Sequence, residues 1–132
     1  MSARILIVED EMLVALDLES ALLEFGYDVV GIAPDLATAQ GYFGEAIDLA
    51  LVDLNLRDGL TGPEIGKTLG AHGVTVLFVT ANPRLLRGDI AGAIGVITKP
   101  TDEEMVRSCV AYALAHRSGR PATPPRYLRL FG

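Results

Sequence analysis

The stretch Leu49-Ala50-Leu51-Val52-Asp53-Leu54-Asn55-Leu56-Arg57-Asp58-Gly59 begins as four apolar residues with no alternation and then places a carboxylate. A strand with no polar side is covered on both faces, as in a parallel sheet under two layers of helices. An ionised aspartate at the end of such a strand is costly unless something meets it. The reading of Asp53 therefore depends on which other segments end where this one ends.

Four further runs share its character: Ile5-Leu6-Ile7-Val8, Val29-Val30-Gly31-Ile32, Val74 to Val79, and Ile94 to Ile97. Helical pattern lies between and after them. Val14, Leu18, Ala21, Leu22 and Phe25 recur at helical spacing, with Gly26 as a stop. Asp35 can cap a short helix running to about Phe43. Gly62-Pro63-Glu64 opens a helix ending near Gly70, and Pro83 opens another running to about Ala91. Thr101-Asp102-Glu103-Glu104 reads as a capping box with Thr101 as N-cap. Val106, Cys109, Val110, Ala113 and Leu114 then form one apolar stripe, which makes Cys109 a core residue. Five strand–helix units in strict alternation predict a doubly wound five-stranded parallel sheet, α/β in class, with helices on both faces.

In that architecture the functional crevice lies beyond the carboxyl ends of the strands. Strand one ends in Glu9-Asp10, strand three in Asp53, strand four in Thr80-Ala81 and strand five in Thr98-Lys99-Pro100. Strand two ends in Ala33-Pro34 and brings no chemistry. Three carboxylates about 5 Å apart repel by roughly 3 kcal/mol per pair at an effective dielectric of about 20. Lys99 offsets one charge. A divalent cation offsets two more, and an all-oxygen donor set suits Mg²⁺ rather than Zn²⁺. A carboxylate beside Mg²⁺ and a lysine can attack a phosphoryl group to form an acyl phosphate.

These pieces resemble the receiver domain of two-component response regulators, from Glu9-Asp10 after ILIV to Asp53 after LALV, Gly59 and Gly62, Thr80-Ala81 after VLFV, and Lys99-Pro100 after GVIT. The resemblance implies the flavodoxin-like strand order 2-1-3-4-5. It implies Asp53 as phospho-acceptor from a sensor histidine kinase or phosphotransfer protein, Lys99 pairing with the phosphoryl oxygen, and Thr80 as a switch hydroxyl. It also implies Mg²⁺ on Asp10, Asp53 and the main-chain carbonyl of Asn55, Glu9 acting through water, and a cis Lys99-Pro100 bond. Phosphorylation would move Thr80 and the loop from Ala81 to Arg87 inward, and a downstream protein target would dock on the face of the fourth helix, fifth strand and fifth helix. Three positions depart from the common pattern: Val96 stands where an aromatic is frequent, Arg57 where proline is frequent, and Glu9 where aspartate is common. Two other readings stay open: a degenerate receiver serving as a constitutive interaction module, and a phosphatase with an Asp nucleophile. Against the latter, Asn55 stands where such an enzyme needs a second acid.

Composition agrees with one ordinary domain. The 132 residues are 50% hydrophobic, carry a net charge of −6 and include one cysteine. There is no apolar run of membrane-spanning length and no apolar N-terminal stretch of the secretory kind, so a cytoplasmic protein is expected. Residues 1–116 hold all seventeen acids against seven basic residues, a balance that disfavours nucleic acid as a partner. Residues 1–117 are read as the receiver domain. Residues 118–132, with three prolines and three arginines, are read as a basic tail, flexible or docked on a partner or a second copy in a homodimer.

Overall fold

The computed structural model describes residues 2–86 and 88–131. Its sheet contains β1 (Arg4–Val8), β2 (Asp28–Ala33), β3 (Leu49–Val52), β4 (Thr75–Thr80), β5 (Ala93–Thr98) and β6 (Leu128–Leu130), and its helices are α1 (Met12–Glu24), α2 (Leu36–Gln40), α3 (Gly62–Ala71) and α4 (Glu103–Arg117). The strand order is β2-β1-β3-β4-β5-β6. The first five strands pair in parallel and β6 pairs antiparallel with β5. The doubly wound, flavodoxin-like fold is as expected, with one strand more than the five read from the sequence.

Alternate residues of the central strands point into two cores, which is why these strands show no polar face. Ile5, Ile7, Leu49, Leu51, Leu77 and Val79 pack with Ala15, Leu18 and Leu22 of α1 and with Val106, Cys109, Val110 and Ala113 of α4. Leu6, Val8, Ala50, Val52, Val76, Phe78 and Val96 pack on the opposite face with Ala39 of α2 and with Ile65 and Leu69 of α3. Burying each large side chain is worth about 1.5–3 kcal/mol. Cys109 lies wholly inside, and burial pushes its thiol up to about 11, so it is inert packing. No helix among the described residues is long and apolar enough to cross a membrane.

Three expectations need correction. The helix expected from Pro83 to Ala91 is a single 3-10 turn at Pro83–Leu85, followed by loop and turn; Arg87 lies outside the described residues. Pro83 does open a turn, but Gly88 has φ of +82°, which an α-helix cannot continue through. The N-cap of α4 is Asp102 rather than Thr101, its side chain accepting from the Met105 amide at 2.8 Å. The tail, expected to be flexible or docked elsewhere, ends as β6 on the chain's own sheet. Among the described residues, the anticipated docking face of fourth helix, fifth strand and fifth helix therefore lacks that fourth helix, and its β5 edge is paired with β6.

Candidate phosphoryl and metal site

Parallel pairing sets the site. Val8 is in register with Val52, Val52 with Phe78, and Thr80 with Thr98. The residues that follow each strand are then held by one more ladder bond: Asp53 N–H donates to the Val8 carbonyl at 2.9 Å, and Lys99 N–H to the Thr80 carbonyl at 2.9 Å. Glu9 N–H donates to the Ala33 carbonyl at 3.0 Å. Side chains more than forty residues apart in sequence are thus delivered to one rim.

The Lys99 ammonium bridges two carboxylates, reaching Glu9 Oε1 at 2.5 Å and Asp53 Oδ2 at 2.9 Å. The other oxygens are also engaged. Asp53 Oδ1 accepts from the Leu54 amide at 2.7 Å, and Glu9 Oε2 accepts from the Glu11 amide at 3.1 Å. Glu9 is 2% exposed and Asp53 8% exposed, whereas Asp10 is open to solvent. One oxygen from each of the three acids lies within 4.8 Å of the others. Burial raises the Glu9 carboxyl above its ordinary value of 4.5, outweighing Lys99 and the Glu11 amide, which lower it. Burial alone would lower Lys99, but its bonds to Glu9 and Asp53 prevail and hold the ammonium above its ordinary value of 10.5.

Thr80 is fully buried at the end of β4, and its hydroxyl accepts from the Asn82 amide at 3.0 Å. Asn55 is exposed in the turn beyond Asp53, between buried Leu54 and Leu56. The Lys99-Pro100 bond is cis. The structure thus gathers Glu9, Asp10, Asp53 and Lys99 into one cluster, while Thr80 and Asn55 stand beside it on the strand end and turn that frame it. The three acids offer a hard oxygen donor set with no His or Cys, which fits Mg²⁺.

Two supports escaped the sequence reading. Gly62 begins α3 against the acceptor strand: a Cβ there would lie 1.9 Å from the Asp53 carbonyl oxygen. The GLTG run around it signalled a turn without showing that backbone approach. Arg57, which stands where proline is frequent in the family, pairs with Asp35 from an exposed position, while Asp58 accepts from the Leu36 amide at 3.1 Å. Together they tie the turn carrying Asn55 to the β2–α2 corner.

A profile of the response regulator receiver domain family matches residues 5–111. The phyllosphere-induced regulator PhyR of Methylorubrum extorquens is 35% identical over 118 residues, covering 86% of this chain and 44% of that protein. YrkP of Bacillus subtilis, an uncharacterized transcriptional regulatory protein, is 32% identical over 114 residues, covering 83% of this chain and 48% of its own length. The chain spans about half the length of these curated relatives. Among solved structures, the receiver domain of Erythrobacter litoralis PhyR superposes with a TM-score of 0.78 at 35% identity, over 92% of this chain and 97% of that one.

Proposed function

Because the chain belongs to the response regulator receiver domain family, we propose that Asp53 is its phospho-acceptor, charged by a sensor histidine kinase or phosphotransfer protein. The observation that carries this reading is the Lys99 ammonium held between Glu9 and Asp53. An Asp53 oxygen attacks phosphorus of a phosphohistidine, the new O–P bond forms as the N–P bond breaks, and the imidazole nitrogen leaves with its electron pair. No general base is required when the nucleophile is a carboxylate. Lys99 offsets charge on the transferred oxygens, and Thr80 turns its hydroxyl toward the group. Asp10, Asp53 and the main-chain carbonyl of Asn55 would hold Mg²⁺, with Glu9 acting through water. The ion supplies positive charge that the carboxylates and the incoming phosphoryl group share.

The protein then acts as a stoichiometric switch in the cytoplasm and works through a protein target, rather than as a turnover enzyme. The added group brings up to about two negative charges and biases a pre-existing two-state equilibrium. Intact mass after acetyl phosphate or phosphoramidate with Mg²⁺ tests the reading. The wild-type chain should gain one phosphoryl group and Asp53→Asn none. Equal labelling of the variant overturns the acceptor assignment, no labelling of either supports a constitutive interaction module, and multiple turnovers on phosphate esters support a phosphatase.

A further inference from the structure

The segment from Arg126 to Phe131 belongs to none of the five strand–helix units, yet it is folded onto them. Leu128 stands opposite Ile97, Arg129 opposite Val96 and Leu130 opposite Gly95. The Phe131 amide continues the contact, donating to the Ile94 carbonyl at 2.9 Å. The segment straddles the sheet edge: Leu128, 7% exposed, enters the core under α1 and α4, while the Phe131 ring meets Phe78 on the opposite face at 6.4 Å between centroids. Residues 116–124, which lead to it, are exposed. A three-residue ladder and the side chains of Leu128 and Phe131, with partly buried Tyr127 beside them, hold the segment against its ordering entropy.

What the segment touches is also what the candidate site must move. Phe78 lies two residues before Thr80 on β4, and Ile97 lies two residues before Lys99 on β5. The contact has no slack at Gly95, where a Cβ would stand 2.3 Å from the Arg129 carbonyl oxygen. Backbone thus rests directly on backbone, and β6 fits one arrangement of β5 against β4. Moving Thr80 and Lys99 onto a phosphoryl group draws on those same two strands.

We propose that β6 is a displaceable internal cover: it is seated on β5 while Asp53 is unmodified and leaves when Asp53 carries a phosphoryl group. Its release exposes the β5 edge and the apolar side chains Leu128 and Phe131 to a protein partner, beside Leu130, which is already 43% exposed. The inference rests on the reading of Asp53 as acceptor. Coupling between two sites is reciprocal, so if a phosphoryl-like ligand loosens β6, loosening β6 must tighten the site for that ligand.

Hydrogen exchange on the full chain tests this, with beryllofluoride plus Mg²⁺ as an acyl-phosphate mimic and fluorine NMR to report its binding. Exchange at residues 128–131 should quicken by about fivefold or more when the mimic binds. Gly95→Val, which obstructs β6 from the strand side, and Leu128→Ala, which loosens it from the tail side, should each show fast exchange without the mimic. Each should also bind the mimic more tightly, by up to the factor through which the tail was loosened. If the mimic binds wild type and the tail does not respond, the cover is refuted while the acceptor reading stands. If wild type binds no mimic at any Mg²⁺ concentration tried, the acceptor reading falls and takes the cover with it.

Discussion

Replacing Lys99 with methionine, which keeps the length of the side chain and removes its charge, tests the electrostatics of the site. Lys99 lies 2.5 Å from Glu9 and 2.9 Å from Asp53, and the acid oxygens lie within 4.8 Å of one another. At an effective dielectric of about 20, two carboxylates at that separation repel by about 3.5 kcal/mol. Removing one partner from a buried pair commonly costs about 3–5 kcal/mol. Glu9 limits the loss, because burial already favours its protonated form. An acid raised in the folded state binds more protons folded than unfolded, so its penalty is smallest near its ordinary value of 4.5 and grows as pH rises through the folded value. Lys99→Met should therefore lose about 3 kcal/mol at a pH of about 7.5 and measurably less at a pH of about 5. Urea unfolding followed by circular dichroism in EDTA reads both losses. Adding Mg²⁺ should restore more stability to the variant than to wild type. A loss that is the same at both pH values, or smaller than about 0.5 kcal/mol throughout, would mean that the cluster is not held by Lys99.

Other substitutions probe the frame. Gly62→Ala should cost about 1–3 kcal/mol and slow labelling of Asp53, because its Cβ would enter the Asp53 carbonyl; urea midpoints and intact mass measure the two effects. Asp102→Ala should cost about 1 kcal/mol, whereas Thr101→Ala should stay within about 0.5 kcal/mol, in thermal unfolding. Asp35 is held down from 3.8 to about 2 by its bonds to Thr38 and by Arg57. Its stabilisation is present above its ordinary value and fades as pH falls through about 2. Wild type and Asp35→Ala should accordingly differ in urea midpoint at neutral pH and converge at about pH 2.

The residues of the site were legible because parallel pairing leaves little freedom. Once five apolar runs are strands of one sheet, Glu9, Asp53, Thr80 and Lys99 must meet at its carboxyl edge, whatever the loops between them do. The Asp35 cap and the span of α3 were legible for a local reason, since each is written within a few consecutive residues. The choice between Thr101 and Asp102 is also local, but both side chains can cap. Only the backbone register decides between them, and it gives Asp102 the cap at φ −121° and ψ 175°.

The two larger misses have a common physical origin. Pro83 announced a helix, but a helix of fewer than about twelve residues is held by tertiary packing rather than by propensity. Among the described residues between Pro83 and Ala91, only Leu86 is buried and Ile90 is partly so, while Leu85 stays exposed and Gly88 takes a positive φ. The tail carried apolar side chains in a Pro-rich, basic context, and nothing within it names its partner. The partner's signal lies some thirty residues away, at Gly95, the β5 position that faces Arg129 and Leu130 without a side chain. A glycine inside an otherwise bulky strand marks close approach of another backbone, and here that backbone belongs to the segment read from composition as a flexible or partner-docking tail. Both misses thus turn on tertiary packing that no local signal names: a connection that buries too little to hold a helix, and a sheet edge closed by the end of the same chain.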